Sequence, residues 1–298
     1  MGAVRILVII FILVMIALVL ESAHIWLTSK YGFYPIKEYL EMPVMNGQEI
    51  NLPSGAHGIH YVVNPNAKTV LYCHGNAGNL SYWRYMIELI TSIGINIFII
   101  DYRGFGKAKA HPTISAFVQD AMEAYNYLAS KIKPDNIVLW GESMGGYAAL
   151  KIAQRKPIGC LALAATFTKS MDMVEYLGLP FYYNFIAKRE PLNNVKMISS
   201  ISVPTVFIHS TEDEVIPFKC GEELYEKCSS KCKLFISVKG THAAPKITRE
   251  NLSWLLDFCG IEANTHAVDP LLEKICSDTQ KVCPFKTKEP KNFADGTS

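Results

Sequence analysis

Among the eight cysteines no two are spaced as C-x-x-C, so neither a thioredoxin-like redox pair nor a paired-cysteine zinc site is written into the chain. Cys220, Cys228 and Cys232 come closest and still lack that spacing. Charge imbalance is also missing: 29 basic against 27 acidic side chains leave +2, which gives no electrostatic basis for a nucleic-acid partner or an acidic substrate. No internal repeat is visible, which excludes a solenoid or propeller. What remains is 298 residues, 50% hydrophobic and 19% charged. That is enough for a large domain with its own core, and too apolar for a mainly disordered chain.

Long apolar runs are confined to the N-terminus. From Ile6 to Leu20 no charge interrupts the sequence, with Arg5 before it and Glu21 after it. Fifteen residues make a helix of about 22 Å, short of a hydrocarbon core of about 30 Å, but flanking residues up to Leu27 can complete the span. No small-x-small cleavage site stands out, so residues 1–27 read as an uncleaved signal-anchor. Arg5 on the short side favours a cytoplasmic N-terminus and a translocated domain. Secretion after cleavage is the alternative. Translocation would permit a disulfide, with Cys276 and Cys283 placed to close a short loop; isolated thiols are the other reading.

Beyond the anchor, short β-branched runs alternate with helical patterns, as in an α/β domain whose mostly parallel, eight-stranded sheet has helices on both faces. Strands are expected at Thr69–Cys73, Ile95–Ile100, Asn136–Trp140, Gly159–Ala164, Pro204–His209 and Lys233–Val238, after an antiparallel start in Pro43–Asn51 and His57–Val63. Helices are expected at Ser81–Ile93, Ser115–Ile132, Ser143–Arg155, Lys219–Cys228 and Thr248–Cys259. The domain runs over residues 43–262. Within it, 167–202 carries more apolar surface than a crossover needs and reads as a small lid. Residues 263–298 form a C-terminal extension whose lysine-rich end, Pro284–Ser298, reads as a mobile tail.

The chemistry is concentrated after the strand ending at Trp140. Gly141-Glu142-Ser143-Met144-Gly145 is G-x-S-x-G between a strand and a helix, the setting in which a sharp turn exposes a serine hydroxyl. Such a serine needs a base, and the base needs an orienting carboxylate, in the chain order Ser, acid, His. Downstream lie His209, His242 and His266. His242 sits in the loop after the last strand, where it can reach over the sheet edge; His209 reads as a structural histidine and His266 belongs to the tail. Glu212, Asp213 and Glu214 follow the preceding strand. Asp213 is preferred for its short side chain, with its two neighbours as lesser candidates. Backbone N–H groups of Met144 and of Asn76 are the expected oxyanion donors.

Together His74-Gly75-Asn76-Ala77-Gly78-Asn79, Asp101-Tyr102-Arg103-Gly104-Phe105-Gly106, the Ser143 motif and Thr211-Glu212-Asp213-Glu214-Val215-Ile216-Pro217 resemble the α/β-hydrolase superfamily. Within it they are similar to the bud-emergence-type branch of membrane-anchored serine hydrolases, relatives of the protein depalmitoylases. The resemblance covers about Pro43–Gly260. It implies Ser143, Asp213 and His242 as a triad, an oxyanion hole at Asn76 and Met144, and ester, thioester or lipid acyl substrates without a cofactor or metal. Two positions depart from the pattern: Ser210 stands where a glycine is usual, and the stretch after Gly106 reads KAKAHPT in place of a serine followed by an acidic segment. Asp101 and Arg103 read as structural. Met171, Tyr176 and Phe181 are expected to touch an acyl chain, with packing of the lid onto the body as the other reading. A peptidase of the same fold and a non-catalytic membrane-tethered binding protein are the competing functions. Nothing in the pattern specifies an oligomeric state.

Overall fold

Side chains alternate across each central strand, and this alternation fixes which helices cover which face. Leu71, Cys73, Phe98, Ile100, Leu139, Leu161 and Phe207 face one apolar cluster, and Val70, Tyr72, Ile97, Ile99, Val138, Trp140 and Ile208 face the other. Strands buried on both faces are the mark of a parallel sheet with helices on either side.

The computed structural model describes residues 2–42, 47–189, 191–262, 265 and 268–272. Its strands are β1 Tyr34–Pro35, β2 Gln48–Asn51, β3 His57–Tyr61, β4 Thr69–Cys73, β5 Ala77–Gly78, β6 Asn96–Asp101, β7 Ile137–Glu142, β8 Cys160–Ala164, β9 Thr205–Ser210, β10 Lys233–Gly240 and β11 Pro245–Lys246. Its α-helices are α1 Gly2–Tyr31, α2 Arg84–Ser92, α3 Ile114–Ala129, α4 Gly145–Ala153, α5 Ser170–Tyr176, α6 Tyr182–Arg189, α7 Asn194–Ile198, α8 Phe218–Lys227 and α9 Arg249–Phe258. The main sheet runs β11-β10-β9-β8-β7-β4-β6-β3-β2. The pairings from β6 through β10 are parallel, while β2, β3 and β11 join antiparallel. This is nine strands against the expected eight; the ninth, β11, is two residues folded back on β10. Helices α3, α4, α7 and α8 contribute to one core cluster, α2 and α9 to the other.

Two features lie outside the sequence expectation. The stretch after α1 is part of the domain: Phe33 is buried against Phe105 and Phe117, and β1 pairs in parallel with β5. The last part of the insertion belongs to the body as well, because Met197 and Ile198 of α7 enter the core. Met173 of α5 packs against the same core, while α6 packs on α5 and on α1. Of the remaining expectations, residues 43–46, His266, the Cys276–Cys283 pair and Pro284–Ser298 lie outside the described residues.

Candidate active site

The turn from β7 into α4 holds Ser143 at φ +54°, a left-handed conformation that costs a non-glycine residue strain. Surrounding structure enforces it. The Ser143 N–H donates to the Ala164 carbonyl at 2.8 Å, and α4 approaches β4 so closely that any Cβ at Gly145 would overlap the Cys73 carbonyl. The hydroxyl is thereby presented at the C-terminal edge of the parallel strands, beside the first turn of α4.

Asp213 and His242 arrive from the ends of β9 and β10, beyond β8. The turn after β9 seats Asp213 with Oδ1 accepting from the Val215 and Ile216 N–H groups, at 2.9 and 2.7 Å. Oδ2 then lies 2.8 Å from His242 Nδ1. His209, buried at the end of β9, places Nε2 3.5 Å from the same oxygen and donates to the Ile216 carbonyl at 2.9 Å, the structural part expected of it. The lesser acidic candidates brace the histidine loop through its backbone: Glu212 accepts from the Gly240 N–H and Glu214 from the His242 N–H, at 2.8 and 2.9 Å. Ser210, where a glycine is usual, donates to the Gly240 carbonyl and accepts from the Glu212 N–H. Its hydroxyl ties the acidic loop to the histidine loop.

Burial opposes charge at both groups, and the partners win. Desolvation pushes Asp213 upward, but hydrogen bonds from His209, His242 and the Ile216 N–H hold its carboxyl well below the usual range. Desolvation pushes His242 downward, but the carboxylates of Asp213, Glu142 and Glu214 raise it above its ordinary 6.5. Among the described residues no hydrogen bond joins Ser143 Oγ to the imidazole. What links the two is one sheet edge, and the electrostatic pull on His242 from Glu142, the chain neighbour of Ser143.

Glu142 escaped the sequence reading, since the second position of G-x-S-x-G carries no stated chemistry. Its buried carboxylate accepts from the Tyr72 hydroxyl and from Trp83 Nε1, the latter at 3.0 Å, and burial pushes its pKa up despite those donors. Register supplies the only signal: Tyr72 of β4 lies opposite Trp140 of β7, two residues before Glu142.

The loop after β4 completes the arrangement. His74 is fully buried, stacked on Trp83 with ring centroids 4.4 Å apart, and lies with Nδ1 2.8 Å from the Gly75 carbonyl. Burial pulls it down to about 4, so it is neutral and donates to that carbonyl. Gly75 comes next to Ser143: a Cβ there would lie 3.8 Å from Oγ. The Asn76 carbonyl accepts from the Tyr34 N–H at 2.8 Å and its side chain donates to the Gly32 carbonyl at 3.2 Å. Among the described residues neither the Asn76 nor the Met144 N–H is bonded to another group.

A small cavity of about 40 Å³, open to solvent, lies beside His242 and is walled by Tyr72, Met86, Leu89, Trp140 and Ile208. Met171, Tyr176 and Phe181 are not among its walls. Tyr176 lies under the Lys219 ammonium at 4.3 Å, and Phe181 is 86% exposed. Asp101 and Arg103 are structural as expected: Asp101 accepts from the Leu80 N–H and Tyr39, and Arg103 pairs with Asp120 at 2.8 Å. Among the described residues no group of three or more His, Cys, Asp or Glu side chains is placed to hold a metal ion.

Comparison with known proteins agrees with this architecture. A family model described as the alpha/beta hydrolase fold matches residues 68–178. The chain is 30% identical over 182 residues to the uncharacterized protein YfhR of Escherichia coli K12, covering 58% of this chain and 62% of that protein. It is 35% identical over 169 residues to the human alpha/beta hydrolase domain-containing protein 17B, covering 55% and 57%. The match thus spans about three fifths of the length of these curated relatives. Among solved structures, the Pyrococcus furiosus esterase Pf2001 superimposes with a TM-score of 0.58 at 17% identity, covering 84% of this chain and 96% of that one. The esterase EaEST of Exiguobacterium antarcticum gives 0.54 at 18% identity, covering 72% and 99%. The fold is that of the α/β hydrolases.

Proposed function

We propose that this α/β-hydrolase-fold chain is a membrane-anchored serine hydrolase that cleaves carboxylic esters or thioesters through Ser143, His242 and Asp213. The observation that carries the reading is the 2.8 Å contact between His242 Nδ1 and Asp213 Oδ2 at the sheet edge where Ser143 is held on its strained turn. With Nδ1–H committed to Asp213, Nε2 is the nitrogen left to take a proton. Ser143 Oγ attacks the acyl carbon as its proton passes to His242. The oxyanion is held by the Asn76 and Met144 N–H groups, each such donor contributing about 3 kcal/mol to the transition state. His242 then protonates the departing alcohol or thiol, and water, activated by the same imidazole, releases the acid from the acyl-enzyme.

α1, with Ile6–Tyr31 long and apolar enough to cross a bilayer, supports anchoring. In that reading the N-terminus is cytoplasmic and the domain translocated; removal of the segment as a signal would instead secrete the domain. Anchoring favours acyl substrates carried by lipids or lipidated molecules.

The test uses full-length protein in detergent micelles and a fluorophosphonate probe. Wild type should be labelled and turn over a short ester and its thioester analogue, while Ser143→Ala, with an unchanged melting curve, should do neither. Labelling that persists in Ser143→Ala, or none in folded wild type, overturns the proposal.

A further inference from the structure

α6 of the insertion is fastened along the exit of α1. Arg189 pairs with Glu21, the first charge after the apolar stretch. Nearer the domain, His24 meets Phe185 edge-on at 5.9 Å. At the end of α1, Tyr31 lies 5.0 Å from Tyr182 and 6.5 Å from Tyr183, and the Tyr183 hydroxyl donates to the Tyr31 carbonyl. α6 therefore runs antiparallel to residues 21–31, with its Arg189 end toward the apolar stretch. At 1.5 Å per residue the paired region is about 15 Å long.

This pairing sets the depth of α6. A hydrocarbon core of about 30 Å takes about 20 helical residues, and twenty counted from Ile6 end at Ile25, inside the paired region. The exit from the core thus falls beside Phe185, with the Glu21–Arg189 pair about one helical turn deeper and the Tyr182 end of α6 at the level of the headgroups. Its composition suits that layer. Trp26, Tyr31, Tyr182 and Tyr183 form an aromatic belt, with the Lys30 ammonium 4.6 Å from the Trp26 ring. Phe185 is half exposed, and Phe181, one residue before α6, is among the most exposed apolar side chains described. Lys188 and Arg189 can reach phosphates while their stems stay apolar. The ion pair with Arg189 also compensates Glu21, which would otherwise resist entering the boundary.

We infer that α6 is a second membrane contact: a short helix packed alongside the exit of α1 that dips its Arg189 end into the bilayer α1 crosses, with Phe185 at the acyl–headgroup boundary and Phe181 among the headgroups. The occupant of this apolar face is lipid, because the face continues the lipid-facing surface of α1. If the hydrolase reading holds, the insertion also brings the rim of the Ser143 site to the membrane surface, since it follows β8, whose last carbonyl binds the Ser143 N–H. The docking itself does not depend on that reading.

The experiment reconstitutes the full chain into phosphatidylcholine vesicles carrying a diazirine on the acyl chain, irradiates them, and maps the adducts by peptide mass. Adducts are expected in Ile6–Leu20 and in Leu177–Arg189, and not at Trp254 of α9, which is 47% exposed and controls for exposure alone. The Phe181→Asp/Phe185→Asp double variant, checked for an unchanged melting curve, should keep the α1 adducts and lose most of those on α6. Labelled α1 with bare Leu177–Arg189 overturns the inference. Labelling of neither segment overturns it together with the anchoring of α1. Adducts on α6 in a protein that fluorophosphonate cannot label would leave the docking standing and remove the hydrolase reading.

Discussion

Asp213 Oδ2 and His242 Nδ1 sit 2.8 Å apart, while the other oxygen of Asp213 is held by two backbone N–H groups. The carboxylate is thus oriented before the imidazole meets it. Asp213→Asn can keep its Oδ1 bonds while turning an N–H toward Nδ1, which disfavours the tautomer that leaves Nε2 free. In the proposed mechanism kcat/KM falls about 10⁴-fold, with the probe rate falling in step. A loss below about tenfold in a folded variant counts against Asp213 as the orienting acid.

The same contact divides the pH scale. The His242 pKa is raised, so the neutral base is lost on the acid side at a pH above 6.5, and kcat/KM should fall as pH drops through that point. Stability runs the other way for this group: its contribution is complete below 6.5 and is lost as pH rises through the folded value. Asp213 is depressed, so its contribution is complete above 3.8 and is lost as pH falls through its folded value. The pair therefore stabilises most between about 4 and 6.5, on the acid side of the activity. Melting temperatures and kcat/KM measured on one pH series check both limbs; Asp213→Asn should move the activity limb to lower pH.

Glu142→Gln tests the second carboxylate acting on His242. Its effect on the imidazole ranks below that of Asp213, so the activity limb should move to lower pH by less than in Asp213→Asn. Burial raises Glu142, which means the charged form costs stability as pH rises. Relative to wild type, the glutamine variant should therefore melt higher at pH 8 than at pH 4, below the ordinary carboxyl value of 4.5. An unmoved limb would exclude Glu142 from the electrostatics of the base.

Strand ends carry most of what the sequence made legible. Apolar runs at Thr69–Cys73 and Lys233–Val238 place strands because only a buried sheet needs them, and chain order then puts Ser143, Asp213 and His242 at one edge. Glu142 was invisible because its significance depends on Tyr72 and Trp83, brought to it by strand register and by the helix packed behind the sheet. β1 was missed for the same reason: a two-residue pairing leaves no periodicity, and Tyr34–Pro35 acquires its place only when Phe33 enters the core. The apolar count of Met171–Phe185 leaves an acyl-chain contact and packing onto the body equally open, because periodicity does not say whether an apolar face meets a substrate, the body or a bilayer.

Gly75 provides a graded test of the oxyanion loop. A Cβ there meets Ser143 Cβ at 3.4 Å and Oγ at 3.8 Å, an ordinary contact. Gly75→Ala should fold and keep kcat within about threefold. Gly75→Val adds two methyl groups against the nucleophile and should move the loop, costing about one donor's worth of transition-state binding, on the order of 100-fold in kcat. Equal activity in the two variants would place the oxyanion donors elsewhere.

Asn79 shows how the segment leaving α1 reaches the site. Its buried Nδ2 donates to the Ile36 and Glu38 carbonyls at 2.9 and 2.8 Å, and its Oδ1 accepts from the Ser81 N–H at 3.0 Å. One side chain thereby clamps the chain just past the strand β1 to the loop that carries Asn76, while Tyr34 bonds the Asn76 carbonyl directly. Asn79→Ala leaves several buried groups without partners and should cost about 3 kcal/mol in denaturant unfolding. Asn79→Asp keeps the bond to Ser81 and loses the donors to Ile36 and Glu38, so it should destabilise less at the helix start yet loosen the same stretch. If that stretch positions the Asn76 N–H, both variants lower kcat more than they raise KM when assayed well below their melting temperatures. A fall in stability with unchanged kcat would assign Asn79 to folding alone.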